Sequence, residues 1–176
     1  QSLGPVPLAA ALGNHDRALG SETLARVFGP PYYSFDLANS HFVILDTEQP
    51  GAVGRIEGKQ WEWLVHDLQQ ARGAQFRFVV LHQPLFPVAT YRGKALDRYP
   101  LLRDRLHLLF VQEKVHCVFQ GHEHLYDRQE RDGVNYVITG GGGAPLYAEE
   151  RQGGFHHYLR VDVTAKAYTV AVKRLD

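Results

Sequence analysis

The stretch VHCVFQGHEH, residues 115–124, is an apolar run that ends in a glycine turn with two histidines. Two other apolar runs, 6–12 and 76–81, are also followed by polar side chains that can bind a metal. The polar residues after the three runs are Asn14, His15 and Asp16, then His82, and then His122 and His124. In an open α/β sheet, ligands collect where the strands reach their carboxyl edge. The three run ends therefore predict one shared site of nitrogen and oxygen donors.

Hydrophobic periodicity along the rest of the chain predicts a mixed α/β fold with an antiparallel C-terminal part. Trp61, Leu64, Val65 and Leu68 recur at helical spacing. Pro100 begins a second helix with an apolar face, since proline is favoured at the first helical position. The expected strands are 8–12, 33–37, 41–45, 75–81, 115–119, 126–130, 135–139, 157–163 and 167–173, and the expected helices are 58–72 and one that starts at Pro100.

Length and composition limit the classes of protein to consider. The chain has 176 residues, which suits one domain with a hydrophobic core. Its 19 basic and 19 acidic side chains cancel, which disfavours a nucleic-acid partner because such proteins carry a basic excess. The sequence has no apolar run long enough to predict a membrane span, and its single Cys117 provides neither an internal disulfide nor a cysteine zinc site. Methionine is absent, and we therefore expect the sequence to be part of a longer protein.

Each motif also has a plainer interpretation when it is taken alone. Two histidines two residues apart face the same side of an extended segment, but they can equally be ordinary loop histidines. Asn14 and Asp16 are typical turn residues, and a lone His82 after a strand is more often structural. Only the equivalent placement of all three motifs favours a metal site. The glycines at 140–143 are expected to form a structural turn, and Tyr91 lies in a loop of the kind that contacts substrates.

The ordered set of motifs resembles the calcineurin-type metallophosphoesterases. The resemblance is carried by Gly-Asn-His-Asp at 13–16, by a histidine before proline at position 82, and by Gly-x-His-x-His at 121–124. The segments YSFDL (33–37), HFVILDTE (41–48) and GHEHLYDR (121–128) resemble the purple acid phosphatase-like branch of that superfamily. The resemblance extends over nearly the whole chain.

This resemblance implies a fold and an activity. The fold would be a four-layer α/β/β/α sandwich that here lacks its first strands, so that residues 1–176 form a single, N-terminally incomplete domain. The complete enzyme would hydrolyse phosphate mono- or diesters by attack of a metal-bound hydroxide. It would use two metal ions (Fe, Zn or Mn), and this chain would hold a nearly complete ligand set for one of them and one ligand of the other. The expected partner is a small phosphate ester, without nucleic acid or membrane, and the resemblance favours an exported protein.

The resemblance also assigns roles to individual residues. Asn14, His82 and His122 correspond to ligands of the second metal, and His124 corresponds to a ligand of the first. His15 corresponds to the histidine that contacts the phosphate and protonates the leaving oxygen, and Asp16 to its acidic partner.

Two motifs of the family, Asp-x-His and Gly-Asp on the first two strands, do not occur in this sequence. The alternative function is therefore a non-catalytic domain that binds one metal or none. We also expect self-association, or pairing with a complementing N-terminal segment, because missing strands would expose a sheet edge.

Overall fold

Residues 8–19 and 21–175, which the computed structural model describes, form eight β-strands and three α-helices. The strands are β1 (Tyr33–Leu37), β2 (Ser40–Ile44), β3 (Phe76–Leu81), β4 (Cys117–Gln120), β5 (Tyr126–Arg131), β6 (Val134–Thr139), β7 (His157–Val163) and β8 (Tyr168–Arg174), and the helices are α1 (Ser21–Phe28), α2 (Gly58–Gln70) and α3 (Pro100–Gln112). Strands β1 to β6 form one sheet in the order β1-β2-β3-β4-β6-β5, and β7 pairs with β8 in a second sheet. The central strands β2, β3, β4 and β6 run parallel, whereas β1 and β5 are antiparallel to their neighbours.

The large sheet buries a different cluster of side chains on each face. Val79 on β3 belongs to a buried cluster with Leu64 of α2, and further residues of α3 complete that cluster. Phe78, the preceding residue, faces the other way and packs with Leu159 of β7 and Tyr168 of β8. Neighbouring residues alternate between faces because the strand period is two. The described residues thus form three successive layers of the predicted sandwich, namely helices, the large sheet and the two-stranded sheet.

Most of the predicted elements are confirmed. The predicted helix 58–72 corresponds to α2 and a following 3₁₀ turn (Ala71–Gly73), and the second helix does begin at Pro100. The hairpin between β5 and β6 turns at Asp132 and Gly133, whose φ angles of 49° and 81° are the left-handed pair that a tight two-residue hairpin turn requires. None of the helices formed by the described residues is long and apolar enough to cross a bilayer.

The prediction of a strand at 8–12 is wrong. These residues have no regular secondary structure, and positions 6 and 7 of the apolar run lie outside the described residues. The segment contacts the sheet through a side chain, since the backbone N–H of Ala10 donates to the hydroxyl of Tyr33 at 2.9 Å. Within the described part of the chain no strand pairs with it, and Leu8 is 84% exposed. An apolar run without a neighbouring strand has no ladder partner for its backbone groups.

A buried histidine on β2, His41, connects the edge strand β1 to helix α2. Nδ1 of His41 is 2.7 Å from a carboxylate oxygen of Asp36, and its Nε2 is 2.9 Å from a carboxylate oxygen of Asp67. Both ring nitrogens must donate, so the geometry requires the imidazolium form. The hydrogen bond to Asp67 raises the pKa of His41 above its ordinary value, burial opposes this, and Asp36 adds to the increase.

We expect this network to make the stability of the fold depend on pH. Because the pKa of His41 is higher in the folded chain, its contribution is fully present below the unfolded pKa of about 6.5 and is lost as the pH rises through the folded value. Urea unfolding of the wild type and His41→Gln should therefore differ by about 1.5–3 kcal/mol near pH 6, the usual range for a hydrogen bond to a charged group. The difference should shrink at high pH. A difference that stays constant with pH would show that His41 is not held as the cation.

Candidate metal centre

The parallel pairing of β3 and β4 brings two of the sequence motifs together. Leu81 at the end of β3 is opposite Gln120 at the end of β4. The contact continues beyond the strands, where the N–H of Gly121 donates to the carbonyl oxygen of His82 at 2.9 Å. His122 follows directly in the chain. The strand register therefore places the imidazoles of His82 and His122 side by side, as the sequence predicted for strand ends at one edge.

Three of the predicted ligand atoms converge on one point. Nε2 of His82 is 2.7 Å from Oδ1 of Asn14 and 2.9 Å from Nδ1 of His122. A single N–H of His82 can be directed well at only one of these two acceptors. Side chains from three separate segments thus direct nitrogen and oxygen atoms at the same place. Among the described residues there is no cluster of three His, Cys, Asp or Glu side chains arranged for a metal, since this trio consists of two histidines and an amide.

Gly13 leaves space for the His82 ring, whereas Gly121 is not needed for that purpose. A Cβ atom on Gly13 would lie 2.8 Å from Cε1 and Nδ1 of His82, closer than real Cβ contacts allow. A Cβ atom on Gly121 would lie 3.5 Å from Nδ1, which is ordinary contact. The glycine of the first motif is therefore explained by its close approach to the imidazole.

The turn that carries His122 has a strained backbone. His122 has a φ of 67°, in the left-handed region that few residues with a side chain adopt. Backbone hydrogen bonds between residues two apart in the chain hold the turn. In one of them, the N–H of Glu123 donates to the carbonyl oxygen of Gly121 at 2.8 Å. Non-glycine residues in this conformation cost about 1–3 kcal/mol and cluster at functional sites. The conformation thus agrees with a functional position for His122.

The electrostatics of the site keep both histidines neutral. Burial lowers the pKa of His82 to about 4, and the nearby His122 contributes to the decrease. Burial likewise lowers the pKa of His122 to about 4, with His124 as the next cause. A metal binds the neutral imidazole because the lone pair must be free. Both rings are therefore in the form that a metal requires at neutral pH.

The predicted fourth ligand, His124, is oriented by its surroundings but does not join the trio. Its Nδ1 lies 2.7 Å from the carbonyl oxygen of Pro145 and so must donate to it. That bond leaves Nε2 as the unprotonated nitrogen of the neutral ring. Tyr147 stacks on the ring at 4.2 Å between centroids. This arrangement is the usual way in which a protein fixes the tautomer of a ligand histidine.

The predicted acid–base pair lies beside the trio, but the two side chains are not bonded to each other in the described geometry. His15 is exposed, and it is close enough to His82 to lower the pKa of that histidine. A carboxylate oxygen of Asp16 accepts the N–H of Gly13 at 2.7 Å. Asp16 thus closes the turn that presents Asn14 and His15. Its expected role as the partner of His15 stays a prediction.

Glu123 lies between His122 and His124 in the sequence and is fully buried, and the sequence did not predict it as a residue of the site. Its carboxylate accepts hydrogen bonds from backbone N–H groups of the loop that follows His82. That loop carries Tyr91, whose ring lies 3.8 Å from the ring of His122. An acid with histidine on both sides is expected to be exposed or to bind a metal, so no signal in the sequence predicted this role.

The glycines at 140–143 form a structural turn, as predicted. A Cβ atom on Gly140 would lie 2.0 Å from the carbonyl oxygen of Glu123, and one on Gly141 would lie 2.3 Å from Nδ1 of His157. His157 itself is buried and sits 3.1 Å from the hydroxyl of Thr139. These residues serve the packing behind the candidate metal centre.

Comparison with known proteins identifies relatives of this chain. No protein-family model matches it. It is 32% identical over 114 residues to probable inactive purple acid phosphatase 9 of Arabidopsis thaliana, covering 61% of the chain and 17% of that protein. It is 31% identical over 135 residues to purple acid phosphatase 23 of the same plant, covering 74% and 27%. It is 27% identical over 144 residues to Fe(3+)-Zn(2+) purple acid phosphatase 12, also of that plant, covering 76% and 29%.

A solved structure confirms the fold. Purple acid phosphatase PPD1 from yellow lupin (Lupinus luteus) seeds matches with a TM-score of 0.64 and 18% identity, over 83% of this chain and 30% of that protein. The chain thus spans less than a third of the length of each of these relatives. The sequence motifs and the sequence matches show that the chain belongs to the purple acid phosphatase-like branch of the calcineurin-like metallophosphoesterases.

Proposed function

We propose that this chain contributes part of the metal centre of a phosphoesterase that hydrolyses phosphate mono- or diesters. In this proposal Asn14, His82 and His122 hold one metal ion, and His124 contributes to a second. The observation that supports the proposal is the position of Nε2 of His82, which lies 2.7 Å from Oδ1 of Asn14 and 2.9 Å from Nδ1 of His122. We treat residues 1–176 as one domain of that enzyme.

The donor atoms fit a transition metal. Neutral imidazole nitrogens and an amide oxygen suit zinc, iron or manganese without selecting among them. The name of one relative, Fe(3+)-Zn(2+) purple acid phosphatase 12, supports iron and zinc as candidates. A second metal would need ligands beyond His124. The Asp-x-His and Gly-Asp motifs that the family uses for them are not in this sequence, so those ligands would come from polypeptide outside it.

The remaining residues of the site have roles that follow from their positions. A bound metal pair supplies Lewis acidity to the phosphoryl oxygens and makes water a better nucleophile near neutral pH. The exposed imidazole of His15 can protonate the oxygen of the departing alcohol, which is the task of a general acid. Asp16 fixes the turn that presents His15, through its bond to Gly13. The ring of Tyr91 lies against the ring of His122.

The proposal is tested by the turnover of p-nitrophenyl phosphate with added manganese or zinc. We expect metal-dependent turnover in the complete wild-type enzyme and its loss in the same enzyme with His122→Ala, because that variant removes one of three converging ligands. His66→Ala is the matched control, since His66 is an exposed histidine on α2. Equal turnover in the wild type and His122→Ala would contradict a phosphoesterase site at these residues.

A non-catalytic domain remains the second candidate, and one observation favours it. A relative at 32% identity carries the name probable inactive purple acid phosphatase 9. In that case the chain would bind a metal, or none, and would show no turnover. Zinc binding that is lost in His122→Ala, together with undetectable turnover in every preparation, would support this candidate. Self-association through a sheet edge stays a prediction, which light scattering of the purified chain would test.

A further inference from the structure

Glu123 has an unusual environment for a carboxylate. Glu123 is 0% exposed, and its carboxylate forms no salt bridge within the described part of the chain. Its two carboxylate oxygens instead accept three backbone N–H groups, from Val88 at 2.7 Å, Ala89 at 2.8 Å and Tyr91 at 3.0 Å. A buried charge is costly unless hydrogen bonds replace its hydration, and hydrogen bonds to a charged group are about twice as strong as neutral ones. These three bonds therefore fasten the loop firmly to Glu123.

The fastened loop lies directly over the candidate metal ligands. Tyr91 is held with its ring 3.8 Å from the ring of His122. Its centroid is also 6.0 Å from that of Tyr147, the residue that stacks on His124. The two tyrosines thus cover the two histidines that flank Glu123 in the sequence. Of these two tyrosines, Tyr91 belongs to the loop whose backbone donates to the Glu123 carboxylate.

The backbone of Glu123 is fixed as firmly as its side chain. The approach of Gly140 to the Glu123 carbonyl leaves no room for a side chain at position 140. The N–H of Leu125 donates to the same carbonyl at 2.8 Å. The backbone of Glu123 thus lies against Gly140, while its side chain accepts the hydrogen bonds of the loop.

We infer that Glu123 is a positioning residue of the candidate metal centre, which clamps the loop 88–91 so that Tyr91 holds His122 in its ligand orientation. The metal part of this inference rests on the proposed function, whereas the clamp itself does not. A carboxylate is required because both oxygens accept hydrogen bonds. Glutamine would turn an NH₂ group toward a backbone N–H and lose at least one of the three bonds.

The inference is tested with Glu123→Gln and a matched control, Glu113→Gln. Glu113 is also a buried carboxylate, but it pairs with Arg72 at 2.6 Å instead of with the loop. Amide hydrogen exchange measures directly how firmly the loop amides are held. In the wild type, the N–H groups of Val88, Ala89 and Tyr91 should be protected. In Glu123→Gln they should exchange at least about tenfold faster, as expected when local opening becomes easier, and in Glu113→Gln they should keep their protection.

The positioning role is tested by zinc affinity, measured by calorimetric titration. We expect zinc binding to weaken by about 10–100-fold in Glu123→Gln, the usual effect of losing a partner that orients a ligand, and to stay unchanged in Glu113→Gln. If Glu123→Gln does not fold, Tyr91→Leu takes its place in the zinc titration, and wild-type exchange alone tests the clamp.

Three outcomes would overturn the inference or separate it from the proposed function. Unprotected loop amides in the wild type would overturn the clamp. Wild-type zinc affinity in the folded Glu123→Gln variant, or in Tyr91→Leu, would overturn the positioning role. A wild type that binds no zinc would contradict the proposed function and the positioning role, while the exchange data would still decide the clamp.

Discussion

Replacing Gly13 by alanine should weaken zinc binding by about 10–100-fold, and metal-dependent turnover with it, although Gly13 is not a ligand. The new Cβ atom would lie 2.8 Å from the ring of His82, so the ring must move. A shift of a ligand's orientation costs affinity on this scale, and a misplacement of about 1 Å in an active site can cost about 100-fold in rate. The free energy of unfolding should change by less than about 1 kcal/mol, because residues 8–13 pair with no strand of the sheet.

Gly142→Ala is the matched control for this experiment. A Cβ atom on Gly142 would meet no heavy atom within 4 Å, so the substitution changes a glycine without displacing a neighbour. Zinc titration of the three proteins by calorimetry gives the comparison. Wild-type affinity in Gly13→Ala, or an equal loss in both variants, would show that the close approach to His82 does not matter.

Replacing Phe78 by alanine should destabilise the fold by about 3–5 kcal/mol, the usual range for a buried phenylalanine. Phe78 is 0% exposed on β3, between the large sheet and the β7–β8 hairpin. Its ring lies 5.1 Å from that of Phe42 and 5.2 Å from that of Tyr168, and each such aromatic pair adds about 0.5–1.5 kcal/mol. The substitution therefore removes one of the aromatic contacts between the large sheet and the two-stranded sheet. Urea denaturation measures the destabilisation.

Phe78→Leu serves as the comparison, because leucine fills most of the same volume without the aromatic contacts. We expect it to cost clearly less than the alanine variant, since volume-conserving exchanges in cores usually cost below about 1.5 kcal/mol. A loss below about 1 kcal/mol in Phe78→Ala would contradict the assignment of Phe78 to the interface between the layers.

Local patterns in the sequence were sufficient to predict most of the fold. Helix α2 and the helix that begins at Pro100 follow from apolar spacing and from proline chemistry, which act within a few residues. The hairpin at Asp132 and Gly133 follows from the same kind of local preference. The predicted strand at 8–12 failed because a strand also needs a partner, and pairing is not encoded in the run itself. Helix α1 was not predicted at all.

The candidate site was predicted to the extent that it depends on strand ends. His82 and His122 meet because the register of β3 and β4 aligns the ends of these two strands, and apolar runs predict both ends in the sequence. Asn14 joins them from a segment that has no regular secondary structure. The contribution of Glu123 depends on a loop more than thirty residues away in the chain. Pro145 fixes the tautomer of His124 through its carbonyl oxygen, and every residue has that group. Neither contact can be predicted from the type of residue at a position, so only the three-dimensional structure shows them.

In the proposed function, Asn14, His82 and His122 form a metal site, with His124 close by. Zinc titration followed by NMR of isotope-labelled histidine side chains tests it most directly, because each imidazole reports separately. We predict that the resonances of His82 and His122 shift together and saturate, while those of the exposed His66 do not move. Uniform weak shifts of all histidines, or saturation at His66 with His82 unchanged, would contradict the claim.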